Sequence, residues 1–283
     1  DSIIWSDNIN YEEINDSEYT KLFFIPFLEY SYDNTLWYET YPVKGKRLSL
    51  RYFNSLLNSS SSLNFYAIMF DIRNYSTIKN GISTAFRFFG GTIGGSDLNN
   101  GAARFRVGGT PYLPFFNKAE YSHFYDVNSL DQVYYDIYVM PLRGIPIGGK
   151  SGNNILMINA ELRLPFLMYY FPAIGFLGKI NGVFFSDIGV VWNDSFTQFN
   201  DNLSWESNDN FDGYSIYPSS SSDNIISSND RLINPIGWVW SFGFGPRFIL
   251  LGMPWQLDYA WQYNPIKKEL STVRWYLSIG LDF

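Results

Sequence analysis

The stretch Thr272-Val273-Arg274-Trp275-Tyr276-Leu277-Ser278-Ile279-Gly280-Leu281-Asp282-Phe283 decides the fold. Val273, Trp275, Leu277, Ile279, Leu281 and Phe283 are apolar, and every residue between them is polar, small or phenolic. A repeat of two puts one set on each face of an extended strand, whereas an amphipathic helix repeats every 3.6 residues. The segment before it has the same rhythm, with Trp255, Leu257, Tyr259, Trp261 and Tyr263 opposite Gln256, Asp258, Ala260 and Gln262. Further back, Trp238, Trp240, Phe242, Phe244, Phe248 and Leu250 alternate with Val239, Ser241, Gly243, Gly245, Arg247 and Ile249. Phe184, Ile188, Val190 and Trp192 oppose Phe185, Asp187, Gly189 and Val191, and Leu156, Ile158, Ala160, Leu162 and Leu164 oppose Met157, Asn159, Glu161 and Arg163. With weaker contrast, the pattern predicts strands near 22–33, 46–55, 63–73, 81–92 and 101–108. The reading is all-β and antiparallel, with roughly ten strands of the length that crosses a bilayer at a tilt.

Alternation alone also fits a soluble β-sandwich or a small soluble barrel. Composition favours a membrane. Phe, Tyr and Trp make up 20% of the chain, so the apolar faces are aromatic, especially near strand ends, as in the girdles at membrane interfaces. The opposite faces carry Glu161, Arg163, Asp187, Arg247, Asp258 and Arg274, which a barrel would use to line its lumen. The longest uncharged apolar run, Leu164 to Gly178, is shorter than a membrane-spanning helix and contains Pro165 and Pro172. Only a closed barrel then satisfies every backbone group in lipid. The expected fold is a transmembrane β-barrel of the bacterial outer membrane over residues 20–283, after an acidic lead-in at 1–19.

The connections alternate in length: 264–271 moderate, 251–254 tight, 193–236 long, 165–179 intermediate, 109–152 long and 93–100 short. Outer-membrane barrels have short periplasmic turns and long outer loops. Loops 109–152 and 193–236 are therefore expected outside, with Phe283 on the periplasmic side. The run Ser219 to Asn224 makes the second loop a low-complexity, solvated segment.

A net charge of −7 with no basic stripe argues against nucleic acid. The absence of cysteine excludes disulfides, thiolate metal sites and cysteine nucleophiles. One histidine, His123, cannot build a conventional triad or a histidine metal cluster. Gly90 to Gly95 lacks the Lys-Ser/Thr of a phosphate loop and reads as a turn. No enzyme chemistry, metal or cofactor is expected. No basic, apolar leader opens the sequence, so the chain reads as processed or as a fragment.

Several motifs occur in a telling order. Pro141-Leu142-Arg143-Gly144-Ile145 and Gly148-Gly149 precede Asn159-Ala160-Glu161-Leu162-Arg163-Leu164-Pro165. Phe184-Phe185-Ser186-Asp187-Ile188-Gly189-Val190-Val191-Trp192, Gly243-Phe244-Gly245-Pro246-Arg247-Phe248 and Leu257-Asp258-Tyr259-Ala260 follow, with Tyr32-Asp33-Asn34-Thr35 and Pro42 to Leu48 upstream. This order resembles the C-terminal barrel of the BamA/TamA-type bacterial surface antigen superfamily over roughly residues 24–283. Asp33 to Trp37 and Leu250 to Pro254 look similar to a subgroup in which a TolB-like propeller precedes the barrel. The resemblance implies a sixteen-stranded barrel in which the arginine of an Arg-Gly loop folds into the lumen and meets acids on the next two strands. Here those residues are Arg143, Gly144, Glu161 and Asp187, a lock expected to hold the loop as an internal plug. Trp275, Leu277, Ile279, Gly280, Leu281 and Phe283 are expected to form the terminal seam and insertion strand. The chain reads as ten strands, five on each side of the Arg-Gly loop.

The resemblance implies a part in outer-membrane protein assembly, or the membrane part of a transport complex, with outer-membrane lipids and other envelope proteins as partners. Two alternatives are a structural anchor or passive pore whose outer loops bind a partner, and an anchor for an enzyme domain outside this sequence.

Overall fold

A computed structural model describes residues 25–38, 41–55, 65–79, 81–95, 104–110, 137–139, 141–145, 148–165, 180–193, 237–265 and 268–279. The expected lead-in at 1–19, most of loop 109–152 with His123, loop 193–236 beyond Asn193, and the terminal Gly280, Leu281 and Phe283 lie outside the described residues.

The described chain is all-β. Nine long strands form one antiparallel sheet: β1 (Phe27–Asp33), β3 (Tyr41–Asn54), β4 (Tyr66–Lys79), β5 (Ile82–Gly94), β9 (Asn154–Leu164), β10 (Asn181–Trp192), β11 (Gly237–Leu250), β12 (Met253–Asn264) and β14 (Arg274–Ile279). Each pairs with the next in that order, and the short β2 (Leu36–Tyr38) and β13 (Glu269–Leu270) join β3 and β12. A second, three-stranded sheet holds β6 (Phe105–Val107) between β7 (Ile137–Val139), which is parallel to it, and β8 (Lys150–Gly152), which is antiparallel.

This topology corrects four expectations. The predicted strand at 101–108 is not a strand of the large sheet: β5 pairs directly with β9, from Ser83↔Arg163 to Thr92↔Asn154. Four long strands, not five, therefore precede the Arg-Gly loop, and the supposed short connection at 93–100 is the start of one insertion running from 95 to 153. The sheet is also open among the described residues, with β1 at one edge and β13 and β14 at the other. Nine strands in antiparallel succession make β1 and β14 run the same way.

The connections then sort by strand direction. The strand ends joined by 55–65, 95–153, 193–236 and 265–273 lie at one end of the sheet, and those joined by 34–40, 80–81, 165–180 and 251–252 at the other. At the second end every connection but 165–180 is shorter than any at the first. We call these the long-loop and short-turn ends.

Burial alternates as expected along β9, β11, β12 and β14 and the first half of β10, but Val190 and Trp192, expected on the outward face of β10, are buried at 1% exposure. Phe184, Phe244 and Trp275 project from one face at 53%, 45% and 45% exposure, while Phe185, Gly243 and Tyr276 are buried on the other. The buried face is the one covered by the described parts of the 95–153 insertion, and it is called the inner face below. Part of it is apolar, which the alternation did not foretell. Toward the long-loop end, Ala67, Met69, Phe89, Ile93, Ile155, Met157, Val191 and Val239 form one cluster with Phe105, Val107, Val139, Leu142 and Ile145 of the insertion. These residues give the insertion a dry seat, and each buried aliphatic side chain contributes about 1.5–3 kcal/mol.

Candidate functional site

Beside that apolar seat lies a buried ionic cluster. Glu161 and Arg163 come from β9, Asp187 from β10, Arg247 from β11 and Asp258 from β12, all on the inner face by register. Arg143 reaches them from the insertion. All six are at most 4% exposed. Three guanidiniums therefore face three carboxylates, and the cluster balances to zero in a place where an uncompensated charge would be costly.

Arg143 makes the central contacts. Its Nε donates to Asp187 Oδ2 at 2.7 Å and its second terminal nitrogen to Asp187 Oδ1 at 2.8 Å. The other terminal nitrogen donates to Glu161 Oε1 at 2.7 Å, and the Arg143 backbone N–H adds a bond to Asp187 Oδ2 at 3.1 Å. The fork onto Asp187 is the bidentate geometry that makes arginine–carboxylate pairs strong. Burial opposes the charge on Arg143, but Asp187 and then Glu161 outweigh it and hold the pKa well above the ordinary arginine value. The guanidinium also lies 3.6 Å from the centroid of the Phe185 ring. That ring can lie flat because Gly243, its partner across β10 and β11, has no side chain: a Cβ there would come within 2.5 Å of it.

The neighbours complete the cluster. Arg163 donates to Glu161 Oε2 at 2.9 and 3.1 Å and to the Pro42 carbonyl at 2.9 Å. Arg247 forks onto Asp258 at 2.7 and 3.2 Å. Asn159 donates to Asp187 Oδ1 and to the Pro141 carbonyl, both at 2.8 Å, which ties the base of the Arg-Gly turn to β9.

Gly144 is required by geometry. Its φ is +93°, and a Cβ would lie 2.8 Å from the Ser241 Cβ. This close approach brings the turn onto the terminal strand. The Gly144 N–H donates to Tyr276 Oη at 3.1 Å, and the Tyr276 hydroxyl donates to the Ile145 carbonyl at 2.8 Å. The tip of the insertion is thus bonded to β9, β10 and β14.

The structure brings Arg143 onto Glu161 and Asp187, with Gly144 beside it. It adds Arg163, Asp258, Arg247, Asn159, Phe185 and Tyr276. Inner-face parity placed these residues on the correct side, but no spacing signalled that they meet the loop. Trp275, Leu277 and Ile279 project from the outer face of β14, apart from the cluster. Among the described residues no group of three or more His, Asp or Glu could hold a metal ion, and no helix is long and apolar enough to cross a membrane, which says nothing about crossing by strands.

A second ionic group lies on the inner face of β4 and β5, where Asp71 receives Arg73 at 2.7 and 3.0 Å and Arg87 at 2.8–3.1 Å. Nearer the edge, Arg47 meets Asp33 and Arg51 meets Glu29. These inner-face charges thus form one six-residue cluster, one triad and two pairs.

No family model matches the sequence, and no curated protein matches it.

Proposed function

We propose that the large sheet is part of the wall of an outer-membrane β-barrel, with its outer face in lipid and its inner face closed by the 95–153 insertion as a plug. The observation that carries this reading is the contrast between the two faces. The inner face holds Glu161, Asp187, Asp258 and six or more arginines. The outer face of the nine long strands is mainly apolar and aromatic; among the described residues its only charges are Lys44, Lys46 and Lys79 at one rim, and no acidic residue stands on it. In water this would be an inverted protein. In a bilayer it is the required arrangement.

Local bonding supports the same environment. Outer-face Trp240 donates its indole N–H to Ser186 Oγ and Trp255 donates to the Leu250 carbonyl, both at 3.1 Å, so both find partners within the sheet. Trp238, Trp240, Trp261 and Tyr263 lie toward the long-loop end, and Trp37 and Trp255 toward the short-turn end, as two aromatic belts flanking aliphatic residues.

Closure follows from strand direction. Because β1 and β14 run the same way, an antiparallel wall closes through an odd number of further strands. Eight strands leave room only for their own side chains. A wall that encloses β6, β7 and β8 therefore needs more than nine.

The function favoured is that of a gated assembly or translocation barrel, acting alone or as the membrane part of a larger envelope complex. Its mechanism is conformational, with no covalent step: the plug is held by a neutral ion cluster and released when that cluster opens. An anchor role shares the same wall and assigns no work to the lock. A permanently open pore fits poorly with a plug that buries Phe105, Leu142, Arg143 and Ile145 against the wall. The test is planar-bilayer conductance of the full chain. The native protein should be mostly closed, and Arg143→Ala should open it. A wide, steady conductance in the native protein would overturn the plugged reading, and failure to insert together with heat-insensitive gel migration would overturn the barrel.

A further inference from the structure

The outer face carries three charges among the described residues of the nine long strands, and all are lysines at one place. Lys46 is on the outer face of β3 by its pairing with Asn74, and Lys44, beyond Gly45 with its φ of +115°, pairs with exposed Leu36 of β2. Lys79, at the end of β4, pairs with Ile82, the neighbour of inward-facing Ser83. All three lysines are exposed, and no described carboxylate pairs with them. They lie at the short-turn end, beside exposed Leu36, Trp37 and Ile78.

We propose that Lys44, Lys46 and Lys79 form a binding site for the phosphate headgroup of an anionic phospholipid in the leaflet at the short-turn end. This rests on the membrane reading above and adds a ligand to it. Position supports the site. Strand spacing puts Lys44 and Lys46 roughly 7 Å apart, with Lys79 one strand over and a few residues nearer the rim, an area comparable with one or two headgroups. Charge supports it as well. The chain is acidic overall, and a lysine in the acyl region is strongly disfavoured, so three lysines at one rim with no carboxylate partner among the described residues call for an anionic surface. Their long stems can lie along Leu36 and Ile78 while the ammonium groups reach the headgroup level. Trp37, at the same rim, is the residue type that settles at that depth. Free phosphate would lack the apolar half of this surface.

The test uses the full chain in phosphatidylcholine vesicles with spin-labelled phosphatidylglycerol or spin-labelled phosphatidylcholine, reading the motionally restricted fraction of each by electron paramagnetic resonance. The native protein should prefer the anionic label about five-fold, the effect of one lysine fully engaged at the surface. The preference should fall toward parity in K44Q/K46Q/K79Q and in about 1 M salt, where charges more than a few ångströms apart are screened. The triple variant should keep the restricted phosphatidylcholine fraction of the native protein, showing that the wall still folds. No anionic preference in the native protein, or the same preference in the triple variant, would overturn the site while leaving the barrel intact. No restricted lipid of either kind would overturn the membrane reading, and the site with it.

Discussion

Replacing Arg143 by Ala removes one cation from a neutral set of three cations and three anions and leaves a net charge of −1 in a region with almost no solvent. Three side-chain hydrogen bonds of 2.7–2.8 Å disappear. Glu161 keeps Arg163, and Asp187 keeps the Asn159 amide, so the loss is partly cushioned. Breaking a buried pair from one side typically costs about 3–5 kcal/mol. If the plug opens locally as a unit, its open population should rise about 10²–10³-fold. The native chain has no cysteine, so Ile145→Cys supplies a single thiol at a site with 0% exposure. Maleimide labelling of that thiol should accelerate by about two orders of magnitude when Arg143→Ala is added. A second arm separates charge from packing: Arg143→Met with Asp187→Leu should restore part of the protection, because it removes charges of both signs together. Equal labelling with and without Arg143, at conditions where opening is faster than labelling, would refute the idea that the guanidinium holds the plug.

Three other substitutions test the surrounding structure. Tyr276→Phe leaves the Gly144 N–H and the Ile145 carbonyl without their shared partner, a loss of about 1–3 kcal/mol that should speed Ile145→Cys labelling by roughly ten-fold. Gly144→Ala should be worse than a surface change, because it combines a φ of +93° with a 2.8 Å approach to Ser241, and adding Ser241→Gly should recover part of the plug's protection from protease. Ile158→Arg, at an outward position on β9, should destabilise the folded protein in lipid by about 2–4 kcal/mol, measured by urea unfolding in vesicles. The same change at an exposed site of a water-soluble sheet would fall within about 0.5 kcal/mol.

Much of this architecture was legible in the sequence where the two faces differ strongly in chemistry. On β9, β10, β11, β12 and β14, aromatic or aliphatic residues alternate with Asp, Glu, Arg, Ser or Gly, and the side-chain period of two fixes the faces. The lock was legible because the Arg-Gly turn and the two acids stand in an order that resembles a known family. The segment 101–108 was misread for a physical reason. A few alternating residues specify an extended chain but not its partner, and Phe105 and Val107 alternate equally well in the wall or in a plug. The apolar part of the inner face was likewise hidden. Val191 and Val239 are buried by an insertion far away in sequence, and local periodicity does not encode that contact. Tyr276 read as the less apolar face of a strand, and its bonds across 131 and 132 residues depend on the path of the plug.

The central claim is that the face bearing Ile158, Phe184, Phe244 and Trp275 lies against acyl chains. Nitroxide labels placed one at a time along β9, from Asn154 to Leu164, in the reconstituted cysteine-free protein report oxygen and nickel collision rates at each position. The account predicts a two-residue oscillation, with Leu156, Ile158, Ala160 and Leu162 open to oxygen and closed to nickel, deepest near the strand centre, and with odd positions shielded from both. Free nickel access at Ile158 and Leu162, or an oscillation of the opposite phase, would contradict it.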